Sequence, residues 1–449
     1  MNIKLKKKIS ELEAEIIKNH QHDIKLFEQL NNAQSNLGIL DDGRPFAPFL
    51  RPCFVTREKY DEISHAAETL WQAFERMTFA AFENEEIMRE LDLTVTEERL
   101  ARIDPGYKGV CHSSRLDTFL HGDNFKFLEY NAETPAGIID QMQIEKVLFQ
   151  IPEVREFLGN NKHFRPKPHE KLLDALIEGY RDFGGEKETP NIAIVDWKDV
   201  ATSSEFVVLK EYFESKGHKC SIIDPHDLDY NGEFLHAGDF QIDIFYKRVL
   251  IHEFLEKFGE DNPLVNAYRD GNVFMANSFR TKIPHKKASF AIASDEKFHH
   301  IFTDEQLEII KKHIPWTRRV REMKTKDFDG NEIDLIEHIR KNRDEYILKP
   351  NDDYGGHGIV FGWESSASVW ETAIAKALQE SFVVQKKVEI EKIDFLTYDE
   401  EKIFSEKLLV DFDPFLFRGR VEGGLIRLSS SSLVNVAAGG GETALVVID

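Results

Sequence analysis

The sequence predicts an α/β (α+β) chain with mixed and antiparallel sheets, an open α/β subdomain and a helical N-terminal region. Three observations carry this. Apolar residues recur at helical spacing through residues 1 to about 100. Strand-like runs around a turn take over between about 106 and 140. Buried apolar runs then alternate with an amphipathic stretch between 190 and 250.

In the first region Ile9, Leu12, Ile16 and Ile17 keep helical spacing, as do Ala66, Leu70, Ala73 and Phe74. The proline-rich stretch from Arg44 to Pro52 connects these two helical parts. In the open unit, Asn191 to Asp196, Cys220 to Asp224 and Ile242 to Lys247 read as strands. Ser203 or Ser204 can cap a helix through Phe206, Leu209 and Phe213, which Gly217 stops. This unit lacks the GxGxxG fingerprint, so no dinucleotide is assigned to it. From about 280 onward helix and strand alternate, without an internal repeat.

Composition sets limits. The chain has 449 residues, 41% hydrophobic and 31% charged, which is globular rather than disordered. A net charge of −22 argues against nucleic acid or an anionic membrane as a general partner, because both need basic surface. Cys53, Cys111 and Cys220 form no paired motif, which fits a reducing compartment and a cytoplasmic location. The basic start at Met1 to Lys8 leads into an amphipathic helix rather than a signal-peptide core. No apolar run approaches the ~18 residues of a membrane span.

The most informative segment runs from Arg115 to Asn131, two apolar runs flanking His121-Gly-Asp-Asn124. With the turn centred on Asp123, Asp117 faces Glu129, Arg115 faces Asn131 and Phe119 faces Phe127, all on one face. Two carboxylates about 5 Å apart repel by roughly 3 kcal/mol at an effective dielectric near 20. A divalent cation reverses that repulsion, and two carboxylates with an amide oxygen are hard ligands suited to Mg²⁺. The alternative is a solvated hairpin face whose charge Arg115 softens.

Further signals follow. Lys349 ends an apolar strand and precedes Gly355, Gly356 and Gly358, whose backbone amides can form a nest for phosphate. An ordinary hairpin turn would use glycines too. Ser381 to Val388 is a strand that could offer edge amides to a purine from Gln385 to Val388, or a plain core strand. Arg427 could clamp a phosphate or carboxylate and shares parity with Asn435, ahead of the glycines ending at Gly441.

Together these segments resemble the ATP-grasp superfamily in its circularly permuted form, as in glutathionylspermidine synthases and their uncharacterised relatives. Arg115-x-Asp117 and Leu128-Glu-Tyr-Asn-Ala-Glu-Thr-Pro135 carry the likeness, and Glu129-x-Asn131 precedes the lysines instead of following them. The resemblance implies ATP and Mg²⁺ as cofactors. It places the metal on Asp117, Glu129 and Asn131 and gives Arg115 the catalytic role of steadying charge at the reacting phosphate; Arg427, by its guanidinium fork, is the second catalytic candidate. ATP would be held by Lys349, the glycine loop, Gln385 and Val388, and by a first lysine. Lys287 fits that place best, with Lys282 and Lys286 as alternatives. With the spacing above, the chain is expected to divide into a helical region (1–105), a first core part with the metal hairpin (106–185), an open α/β substrate domain (186–274) and a lysine and glycine-loop part (275–449); the resemblance itself covers 106–140 and 275–441 by motif. The expected reaction joins a small-molecule or peptide carboxylate to an amine through an acyl phosphate, under a lid at Asn351 to Gly358. A small-molecule kinase and a non-catalytic ATP- or peptide-binding protein are the rivals. Glu133, Arg418, Arg420 and Arg427 are candidate substrate contacts by analogy.

Overall fold

The computed structural model describes residues 3–449 apart from 354, 433, 435, 437 and 438. The mixed α/β class holds. Helices surround a six-stranded antiparallel sheet, a four-stranded parallel sheet and a four-stranded antiparallel sheet, with smaller ribbons beside them.

The helix Arg57–Glu83 starts at Thr56, whose side chain accepts from the Lys59 amide. Ile63, Ala67, Leu70, Phe74, Met77 and Ala81 follow spacings of three and four, and all are fully buried. This stripe packs beneath the hairpin of Ser113–His121 and Asn124–Asn131, with Phe74 stacked on Tyr130 at 5.0 Å between centroids. Each large side chain buried this way stabilises by roughly 1.5–3 kcal/mol. Because Leu116 and Tyr130 point into this core, their neighbours Arg115, Asp117, Glu129 and Asn131 are turned to the other face.

Register in the hairpin is as expected at Arg115 with Asn131 and Asp117 with Glu129. Beyond them it shifts, so that Thr118 pairs with Phe127 and Phe119 with Lys126. The expected pairing of Phe119 with Phe127 is therefore incorrect. Leu128 is the extra residue of a bulge. The bulge lets both Phe125 and Phe127 enter the core while Asp117 and Glu129 keep the opposite face.

The hairpin joins strands from the far end of the chain. Spatial order in its sheet is Gly441–Thr443, Arg420–Ser429, Ile403–Phe417, Ser113–His121, Asn124–Asn131, with Lys392–Tyr398 also paired to Ile403–Phe417. The parallel sheet runs Phe274–Ala276, Ile244–Lys247, Ile192–Val195, Cys220–Ile223, so all three expected strands are present. Its helix Ser203–Ser215 has Thr202 as N-cap, without a side-chain cap bond, rather than Ser203 or Ser204. Gly217, at φ 92°, ends it as expected.

The four-stranded antiparallel sheet runs Thr317–Arg319, Phe382–Lys386, Tyr346–Pro350, Val360–Phe361. The Phe382–Lys386 strand is thus central, with a neighbour on each side. Among the described residues no helix is long and apolar enough to cross a membrane.

Candidate functional site

The two antiparallel sheets face each other across a cavity of about 450 Å³. The hairpin contributes Arg115, Asp117, Glu129 and Asn131, the opposing sheet Lys349, and the loop above it Gly355 and Gly356. Arg427 enters from the Arg420–Ser429 strand. Residues far apart in sequence, singled out independently, therefore line one space.

Asp117 is the centre of charge. Arg115 Nε donates to it at 2.9 Å, Arg427 Nη2 at 2.8 Å and Asn131 Nδ2 at 2.8 Å. Burial works against its ionisation, but Arg115 and Arg427 outweigh it and hold the carboxyl well below the usual range. Arg427 also reaches Asp411 and Asp413, each at 2.7 Å. These two were missed from sequence. Burial raises both, Asp411 to about 6, against the pull of Arg427. Their signal was present in Val410-Asp-Phe-Asp-Pro-Phe415, two acids at strand spacing inside an apolar run.

Lys349 Nζ donates to Gln385 Oε1 at 2.8 Å and lies 3.4 Å from the carbonyl of Leu128, the bulge residue. Burial lowers it to about 8, although Glu129 opposes the shift. Lys287 Nζ donates to the Asp353 carbonyl at 2.6 Å and stands 3.6 Å from Glu129. Lys282 and Lys286 are committed elsewhere. Lys282 binds Glu133 at 2.9 Å and Asp352 at 2.7 Å, and Lys286 binds Asp352 at 2.6 Å and Glu97 at 3.1 Å. Of the three lysines, Lys287 is the one paired with the hairpin face.

Gly355, Gly356 and Gly358 all have positive φ, at 64°, 80° and 69°. A Cβ on Gly358 would stand 2.7 Å from Pro350 Cγ, so this corner admits only glycine without movement. Tyr354 in the same loop lies outside the described residues, as does Asn435.

Other expectations are corrected. Gln385 is buried beneath Lys349 and bonded to Thr317, and its strand is no edge. The amides of Lys386 and Lys387 already donate to Trp316 and Glu345 carbonyls. Val388 lines a neighbouring open cavity, not the one holding Lys349. Glu133 is a wholly buried counter-charge for Lys282 and Lys247 rather than a group facing the cavity. Arg418 pairs with Asp182 and Glu178, and Arg420 with Glu68, outside the cavity.

The Mg²⁺ expectation can be weighed on donor chemistry. Asn131 spends its N–H on Asp117, which leaves its carbonyl oxygen for a hard cation, and Glu129 stands on the same face with Lys287 as its ion-pair partner. Asp117 already carries two guanidinium groups. The face therefore fits a hard cation through Glu129 and Asn131 first, with Asp117 behind them.

No protein-family model matches the chain. In sequence it is 23% identical over 428 residues to an uncharacterised protein of Mycobacterium tuberculosis, covering 89% of this chain and 73% of that protein. An uncharacterised protein of Mycobacterium leprae is 22% identical over the same length, with 71% of it covered. In structure, a glutathione synthetase-like effector from Globodera pallida, in its apoform, superposes with a TM-score of 0.62 at 13% identity. The match covers 94% of this chain and 96% of that one. The two chains share a fold over nearly their whole lengths.

Proposed function

We propose that the chain is an ATP-dependent carboxylate–amine ligase of the permuted ATP-grasp type. The observation that carries this reading is the single cavity that joins Lys349 and the glycine loop to Glu129, Asn131, Asp117, Arg115 and Arg427. The glutathione synthetase-like fold supports it, and so does the position of the Glu-x-Asn hairpin ahead of the lysines in sequence.

In this reading Lys349 and Lys287 neutralise phosphate oxygens from the side of the antiparallel sheet. Glu129 and Asn131, with Asp117, would hold Mg²⁺, which would supply positive charge to the phosphates. Arg115, fixed by Asp117 and by the Ala136 carbonyl at 2.9 Å, orients the substrate carboxylate for attack on the γ-phosphate. The carboxylate oxygen forms a bond to phosphorus and ADP leaves. An amine then attacks the acyl carbon and phosphate leaves, giving an amide. The glycine loop excludes water from the acyl phosphate between the two steps. A small anionic substrate set is compatible with a chain of net charge −22 because the few cations are local.

Calorimetric titration with ATP and Mg²⁺ tests the reading without knowledge of either substrate. The wild type is expected to bind ATP in a metal-dependent way. Glu129→Gln and Lys349→Ala are each expected to weaken it at least tenfold while remaining folded. A folded wild type that binds no nucleotide removes the proposal.

A further inference from the structure

The cavity has a second end that ATP binding does not explain. There Asp140, the first residue of the helix Asp140–Leu148, lies beside Glu442 of the strand Gly441–Thr443, two carboxyls near enough to share a proton. Both line the same cavity as Lys349. Glu442 is 6% exposed, and its Oε2 has no hydrogen-bond partner among the described residues. Asp140 is half-buried. Gly137 keeps the approach open, since a Cβ there would stand 3.1 Å from Asp140 Oδ2 and 3.0 Å from Leu425.

The charged groups around the pair come from two directions. Glu205 and Arg248 face it from the parallel-sheet unit, and Arg115 and Arg427 from the six-stranded sheet. Glu205 is already satisfied by Arg248 at 3.1 Å and the Ile138 amide at 2.8 Å. The two arginines are spent largely on Asp117, Asp411 and Asp413. What remains is a carboxyl pair short of one donor, in the cavity that also holds Lys349.

We propose that this end seats the amine acceptor, with Glu442 Oε2 accepting one of its N–H bonds and Asp140 taking its proton. The inference rests on the ligase reading and deepens it. An amine enters as an ammonium ion and cannot attack until it loses a proton. Asp140, ionised beside Glu442, accepts that proton. The nitrogen lone pair then forms the C–N bond, the acyl C–O bond breaks, and phosphate departs carrying the second N–H proton. Burial and Glu205 push Asp140 up to about 7, and burial and Asp140 push Glu442 well above the usual carboxylate range. The two carboxyls therefore hold one proton between them near neutral pH, and Asp140 is poised near the pH at which a general base works best.

The test uses the full chain with ATP and Mg²⁺ bound, n-propylammonium chloride as probe and tetramethylammonium chloride as a cation with no N–H. Titrations at pH 7 in two buffers of different ionisation enthalpy read both affinity and proton release. Propylammonium is expected to bind saturably and to release about half a proton, because it stabilises ionised Asp140. Tetramethylammonium is expected not to bind. Asp140→Asn should lose the proton release, and Glu442→Leu, which removes the acceptor, should weaken binding about tenfold. Circular dichroism confirms that each variant is folded. Binding of both cations alike, binding without proton release, or no saturable binding to the ATP-loaded protein overturns the proposal. Failure of the wild type to bind ATP is a different result and falls on the ligase reading itself.

Discussion

At the scale of single residues, Lys349 is the most exacting test of the nucleotide end. Burial favours its neutral form, Glu129 and Asp117 oppose that, and Lys287 assists it, leaving the ammonium near 8. Below pH 8 the free protein carries the charge. Above pH 8 it has lost the proton, and a bound phosphate would restore it. Binding then takes up a proton, so ATP affinity should be flat below pH 8 and fall about tenfold per pH unit above it. Lys349→Arg, charged throughout, should remove the slope. Calorimetry from pH 7 to 9.5 reads this directly, and a flat wild-type profile would sink the role given to Lys349. The lysine and its glycines were legible because each carries a local chemical signal. Asp411, Asp413, Asp140 and Glu442 were not selected. Asp411 and Asp413 carry a strand-spacing signal, but their role is fixed only by the arginine the fold brings to them, as that of Asp140 and Glu442 is fixed by their meeting each other.

At the scale of elements, what could be read depended on how local the cause was. The hairpin's pairing of Asp117 with Glu129 follows from alternation around a turn. The bulge at Leu128 does not, because it is set by Phe125 and Phe127 both finding room in a core built by Arg57–Glu83. The central place of Phe382–Lys386 was likewise hidden, since its neighbours lie some way off in sequence at Thr317–Arg319 and Tyr346–Pro350. The glycine loop offers the sharpest element-level test. Gly358→Ala forces a side chain into positive φ and against Pro350, at a cost of roughly 1–3 kcal/mol. Because the strain is confined to the loop, ATP affinity is expected to fall at least fivefold with the thermal midpoint nearly unchanged. Hydrogen exchange should show faster opening at residues 355–360 alone. An unchanged ATP affinity would mean that the loop does not close over the nucleotide.

At the scale of the whole molecule, the cavity exists because distant segments are stitched together. The hairpin at 113–131 shares a sheet with strands beyond residue 400, and the last strand, Leu445–Ile448, lies between Cys53–Thr56 and His163–Phe164. Composition predicts none of these pairings, because any buried apolar tetrapeptide could have filled the slot. Val447 is the point at which this closure can be tested. It is fully buried, paired with Val55 on one side and Phe164 on the other, and packed in the same core as Phe74 and Tyr130. Val447→Asp would bury an unpaired carboxylate and cost about 3–5 kcal/mol, a large share of the roughly 5–15 kcal/mol that holds a domain together. Val447→Ala removes only contacts, at about 1–3 kcal/mol. The alanine variant should therefore melt earlier yet bind ATP with wild-type affinity once folded. The aspartate variant should lose cooperative unfolding and ATP binding together, although the substituted residue does not line the cavity. If the aspartate variant melts like the wild type, the terminal strand is not part of the structure that holds the hairpin against the Arg57–Glu83 helix, and the cavity depends on local elements alone.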